Sequence, residues 1–173
     1  MDGKPAGNVF YALVPPPTVI APLREAVERL RPDTDGLAWV DSRRWHVTAA
    51  FLGRVDPEPF QRRRIVLPEQ PQLALSGAGT FGDRVLWAGV RGSVADVVRA
   101  VGADPQAHTA HLTIARVRGR RRWRGLRDIA ARLTYPERAW LPDRLALLRS
   151  VPGRPYEELA AWAWSGTECR VET

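Results

Sequence analysis

The chain has 173 residues, 45% hydrophobic and 26% charged, enough to bury a real core as a single domain over 1–173 or as two closely packed lobes. Its formal charge of +7 and pI near 10.8 predispose it to meet polyanions, and almost all of that charge is arginine because Lys4 is the only lysine. No apolar run is long enough for a bilayer span, the start MDGKPAGN lacks the apolar stretch of a secretory signal, and the lone Cys169 excludes an intrachain disulfide, so a cytoplasmic protein with no membrane partner is expected.

Val9 to Val14 reads as a strand ended by Pro15, Pro16 and Pro17. Thr18 is the expected cap of a helix with Ile20, Leu23, Val27 and Leu30 on one face, stopping before Pro32. A short strand at Leu37 to Val40 precedes an alternating run from Trp45 to Leu52 (WHVTAAFL). Within it His46 and Thr48 share one face and Trp45, Val47, Ala49 and Phe51 the other, which makes Phe51 a packing residue rather than a platform for a base. A loop and short helix follow around Pro57 to Arg64, with Arg62 to Arg64 on the exposed side. Leu73 to Ser76 and Arg84 to Val90 read as an antiparallel pair joined through a glycine-rich turn at Gly77 to Gly82.

Ser93 opens the next helix, where Val94, Val97, Val98 and Val101 make an apolar stripe and Gly102 fits the C-terminal cap. The second alternating run, Ala110 to Val117 (AHLTIARV), repeats the first. It puts His111 and Thr113 on one face against Leu112 and Ile114 on the other, joined by Val117 if the strand bends. Leu126, Ile129, Ala130 and Leu133 mark a last helix, and Leu145 to Leu148 and Tyr156 to Trp164 close the chain as strands. Most of the seven tryptophans are expected in the core or a cleft wall.

The two His-x-Thr segments use two of the three histidines. One such segment commonly marks only a half-buried polar face; two offer matched parts for in-line displacement at phosphorus. A neutral imidazole takes a proton from the attacking water, and a protonated one on the far side gives a proton to the departing oxygen. The threonine hydroxyls donate to the non-bridging oxygens, and the scheme needs no metal and no cofactor. His108 is three residues from His111, with no acid or cysteine near enough in sequence to suggest a metal box, which favours a surface or loop histidine over a metal ligand. From Arg116 to Arg127 there are seven arginines and no acid. Arg120, Arg121, Arg122 and Arg124 are candidate RNA contacts with Trp123 as a stacking ring, and a solvated arginine-rich loop is an equal alternative.

These segments resemble the 2H phosphoesterases, and within them the RNA 2′,3′-cyclic phosphodiesterases, also called 2′-5′ RNA ligase-like proteins. The resemblance is carried by VFYALVPP (9–16), WHVTAAFLG (45–53), GAGTF (77–81), RVLWAGV (84–90), HLTIARV (111–117) and LRSVPGRPYEELAAW (148–162). It implies an α+β fold of two pseudo-symmetric lobes, each a mainly antiparallel sheet with outer helices, around a central cleft carrying both motifs. It further implies His46 and His111 as catalytic residues and Thr48, Thr113 and Arg116 as phosphate-binding ones. Arg116 is an odd number of residues from His111 and Thr113, so simple alternation aims it away from them, and its role requires a bulge, the strand end or a long reach. The chain departs from the family in a short gap between Val90 and His111 and in Ala110, where a proline commonly stands.

The implied activity is hydrolysis of RNA or nucleotide 2′,3′-cyclic phosphates to 2′-phosphates by a monomer, with weak reverse ligation. His46 is assigned as the acid and His111 as the base, although sequence alone does not separate those roles. Two alternatives stay open at this point: a phosphodiesterase for another small cyclic or 2′-5′-linked nucleotide, and a non-catalytic RNA-binding module on the same fold.

Overall fold

The computed structural model describes residues 7–119, 123 and 125–164. Its elements run β1 (Asn8–Leu13), α1 (Pro17–Leu30), β2 (Leu37–Trp39), β3 (Val47–Gly53), α2 (Glu58–Gln61), β4 (Leu73–Phe81), β5 (Val85–Arg91), α3 (Ala95–Ala100), β6 (His111–Val117), α4 (Leu126–Arg132), β7 (Arg138–Trp140), β8 (Arg144–Ser150) and β9 (Glu157–Ala163). They build an α+β fold of two sheets, one ordered β3-β1-β8-β9 and the other β2-β6-β5-β4-β7, with each strand antiparallel to its neighbours. Each sheet carries one motif strand, β3 in the first and β6 in the second.

The sheets do not divide the chain into an N-terminal and a C-terminal half. β1 and β3 pair up with β8 and β9 from the far end, while β2 crosses to the second sheet beside β6. The helices are shared in the same way: α4 lies against β4 and β5, α3 touches β3 of the other sheet, and α1 reaches β7. One buried cluster runs through both sheets, joining Tyr11, Leu13, Val47 and Leu147 to Leu75, Leu86, Leu112 and Ile114 and to Leu23, Val98 and Leu126 of the helices.

The run NVFYAL explains why β1 sits centrally between β3 and β8, since it is apolar on both faces. Val9, Tyr11 and Leu13 enter the main cluster, and Phe10 and Ala12 join Ala146 and Leu148 in a smaller one on the opposite face. That second face looks towards the motifs.

Several local expectations change. α1 starts at Pro17 with Pro16 as its N-cap and no side-chain cap, so Thr18 lies inside the helix. A proline at the first helical position supplies the right φ and needs no N–H partner. α3 likewise has Val94 as its N-cap rather than Ser93, although the Ser93 hydroxyl accepts from Ala95 N at 3.3 Å, and Gly102 ends it at φ +84°. The glycines at 77–82 are not one turn: β4 continues to Phe81 and turns only at 82–84. Gly77, at φ +71°, lies where the register with β5 slips, and Gly79 runs beneath the Trp87 indole, which an added Cβ would meet at 2.4 Å. β7 is a three-residue edge strand that periodicity does not reveal.

Candidate active site

The pairing registers decide what reaches the cleft. On β3, Val47 pairs with Leu13 and Thr48 with Ala12, but Tyr11 pairs with Ala50, leaving Ala49 as an extra residue. A one-residue bulge reverses the side-chain alternation beyond it. Phe51 therefore pairs with Phe10 and falls on the face of Thr48, 65% exposed and lining the cleft, not on the core side where strict alternation puts it. Trp45, Val47 and Ala49, before the slip, are buried as expected.

The second motif strand has the same device at the same place. On β6, His111, Leu112 and Thr113 face Gly89, Ala88 and Trp87, and then Ala115 faces Leu86, so Ile114 is the extra residue. Arg116 pairs with Val85 and with Ala38 of β2, which returns it to the face of His111 and Thr113. Ala115 and Val117 turn inward together. Each motif thus reads His-x-Thr, a bulge, and a side chain three residues past the threonine that is swung back into the cleft: Phe51 from one strand, Arg116 from the other.

Between the strands lies a cleft of about 710 Å³ whose lining includes His46, Thr48, Phe51, His111, Thr113 and Arg116. Both imidazoles are oriented alike. Nδ1 of His46 is 2.8 Å from the carbonyl of Arg44, and Nδ1 of His111 is 2.7 Å from the carbonyl of Thr109, two residues back in each case. A carbonyl only accepts, so Nδ1 carries the hydrogen and Nε2 is left for chemistry. Nε2 of His46 lies 3.1 Å from the Thr48 hydroxyl, and no such bond joins His111 to Thr113.

Aromatic rings brace both histidines. Phe10 stacks on His46 at 4.8 Å and Tyr156 meets it edge-on at 5.4 Å, while Phe81 meets His111 edge-on at 4.8 Å with Trp87 at 6.4 Å. Burial pushes both imidazole pKa values down; the charges of His111, Arg44 and Arg116 add to this at His46, and those of His108 and Arg116 at His111. The carbonyl hydrogen bonds oppose the shift.

Sequence periodicity missed Phe10, Arg44, Phe81 and Tyr156. Phe10 had a signal in the alternation of β1, Arg44 in its place two residues before His46, and Tyr156 in the segment 148–162 that carries the resemblance. His108 is half-buried in the loop before β6 and its Nε2–H donates to the carbonyl of Thr48 at 2.6 Å, tying the two motif strands together. Trp123 packs half-buried against the core and does not line the cleft. Arg120, Arg121, Arg122, Arg124 and Cys169 lie outside the described residues. Among the described residues no three His, Cys, Asp or Glu side chains converge as metal ligands, and no helix is long and apolar enough to cross a membrane.

Two antiparallel sheets present the paired His-x-Thr segments to one cleft, and the comparisons find the same fold in known proteins. The sequence pattern described as LigT like Phosphoesterase matches residues 13–90. An RNA 2′,3′-cyclic phosphodiesterase of Geobacillus stearothermophilus is 30% identical over 127 residues, a match that takes in 59% of this chain but only 39% of that protein. A crystal structure of a Thermus thermophilus protein superposes with a TM-score of 0.64 at 22% identity, covering 90% of this chain and 97% of the other. E. coli LigT complexed with 3′-AMP gives 0.63 at 20% identity, covering 94% and 100%. Over residues 13–90, under half of its length, the chain is similar to the LigT-like phosphoesterases, and it shares the fold of these solved structures.

Proposed function

We propose that this cleft hydrolyses RNA or nucleotide 2′,3′-cyclic phosphates to 2′-phosphates without using a metal ion. The observation that carries the reading is the matched pair of imidazoles, each with Nδ1–H fixed by a backbone carbonyl and Nε2 left for the substrate. In the proposed reaction Nε2 of His111 takes a proton from water as its oxygen bonds to phosphorus. The P–O3′ bond breaks, and Nε2–H of His46 protonates O3′, leaving the phosphate on O2′. The Thr48 and Thr113 hydroxyls and the Arg116 guanidinium hold the non-bridging oxygens as their charge grows.

The asymmetry at Thr48 supports the assignment of His46 as the acid. While His46 is neutral, the Thr48 hydroxyl donates to its Nε2 across 3.1 Å. Once His46 is protonated the bond reverses and frees the hydroxyl hydrogen for a phosphate oxygen, so the threonine donor is ready when the acid is charged. A 5′-hydroxyl attacking in place of water would break the same P–O3′ bond and leave a 2′-5′ link, which is ligation, but water at about 55 M outcompetes it without a high effective concentration.

The test is hydrolysis of 2′,3′-cyclic AMP and of an RNA with a cyclic phosphate end, with chelator present, by the parent, His46→Ala and His111→Ala. Turnover should survive chelator and fall at least about a thousandfold in both variants. A parent that binds RNA but turns over neither substrate would favour a binding module and overturn the proposal.

A further inference from the structure

Arg44 is a cleft residue whose side chain has no part in the chemistry above. It lies in the 3-10 turn Ser42–Arg44, its carbonyl orients His46, and its side chain lines the cleft. The guanidinium rests over the Tyr156 ring at 4.6 Å and reaches the Ser150 hydroxyl at 3.3 Å, while its Nε is buried without an acceptor. Among the described residues no carboxylate pairs with it. The acid nearest in the cleft lining, Asp41, is held by Arg43 through Nε at 3.0 Å and Nη2 at 2.7 Å.

Charge counting makes Arg44 surplus. A cyclic phosphodiester carries one negative charge and gains a second as water adds. Arg116 and one protonated imidazole already match both. A further half-buried guanidinium, braced by a ring face and flanked by the neutral Asn8 and Ser150, fits a second anion. On a nucleotide whose 2′ and 3′ oxygens are taken up by the cyclic phosphate, the remaining place for an anion is O5′.

We infer that Arg44, with Asn8 and Ser150, forms a second phosphate subsite that recognises the phosphate on O5′ of the nucleotide being hydrolysed. This rests on the proposed cyclic phosphodiesterase reading. That phosphate comes either from a 5′-phosphorylated mononucleotide or from the internucleotide link of an RNA end, and Arg44 makes the enzyme prefer both over a cyclic phosphate that lacks it.

The experiment measures kcat/KM for adenosine 2′,3′-cyclic phosphate, its 5′-phosphorylated form and a dinucleotide ending in cyclic phosphate, using the parent, Arg44→Gln and Arg44→Lys. The parent should favour the two phosphate-bearing substrates by about tenfold or more. That ratio should fall towards one in Arg44→Gln and be partly kept in Arg44→Lys, and the two substrates compared with each other tell which source of phosphate is preferred. Binding of adenosine 2′-phosphate against adenosine 2′,5′-bisphosphate gives a second ratio that needs no turnover. An absence of turnover on all three substrates would sink the phosphodiesterase reading while this binding ratio still judged the subsite. Equal binding of the two products by the parent, or a preference that survives in folded Arg44→Gln, would overturn the subsite.

Discussion

Phe51→Ala separates a ring that packs from a ring that binds. With 65% of Phe51 exposed, about a third of its surface is protected, and full burial of such a side chain is worth about 1.5–3 kcal/mol. The stability loss should therefore be about 0.5–1 kcal/mol. If the ring is a platform for the base, its removal also forfeits about 1–3 kcal/mol of stacking, a rise in KM of about 5- to 150-fold. The ring carries no proton and touches no reacting atom, so kcat should change little, the pattern of lost uniform binding. Steady-state hydrolysis of 2′,3′-cyclic AMP and a thermal melt on the same preparations give both numbers, and Phe51→Trp should keep or lower KM. An unchanged KM in Phe51→Ala would refute the platform, and a stability loss of several kcal/mol would return Phe51 to the core.

The depressed pKa values of both histidines leave them neutral in the free protein near neutrality, whereas the reactive form has one of them charged. The maximum of kcat/KM should lie below pH about 6.5, with kcat peaking at higher pH because the bound phosphate favours the imidazolium; a kcat/KM still rising above neutrality would contradict this. The same shifts make stability full above pH about 6.5 and reduce it as pH falls through the lowered values, because the unfolded chain binds the protons first; melting temperatures across that range test it. Thr48→Val and Thr113→Val should each lower kcat by about a hundred- to a thousandfold, but only Thr48→Val should move the ionisation of His46, as followed by the imidazole NMR shift. Gly79→Ala should cost about 1–3 kcal/mol in denaturant unfolding and lower activity, because the Cβ would drive the Trp87 ring, a neighbour of His111, from its place. A neutral Gly79→Ala would mean that the strand yields instead.

What sequence made legible follows from the reach of local periodicity. Element order apart from β7, the core stripes of α1, α3 and α4 and the shared face of each His-x-Thr depend on neighbours within a turn or a few strand residues, and these are visible in the chain. Register is not local. Strict alternation fails at Ala49 and Ile114 because each bulge depends on the partner strand, β1 in one case and β5 in the other. One residue of slip was enough to turn Phe51 from packing into cleft lining and to aim Arg116 at the motif. Gly77 and Gly79 misled in the same manner, since one marks a slip in β4 and the other makes room for a ring on β5.

The interleaving of the sheets explains why the site does not come apart into two half-sites with separate cores. Each motif strand is an inner or edge member of its own sheet, yet the main hydrophobic cluster passes through both, and His108 donates from the loop before β6 to the carbonyl of Thr48 on β3. The first motif is held against β1, whose other neighbour, β8, comes from the far end of the chain. Opening the cleft would therefore have to break that cross-sheet bond and expose part of a shared core, a cost that favours a preformed site. The proposed reaction, with an imidazole on each side of one phosphorus, needs such fixed separation, because an in-line displacement tolerates little error in either proton transfer. The bulges bring a ring and a guanidinium to the cleft without moving the histidines that each strand already presents.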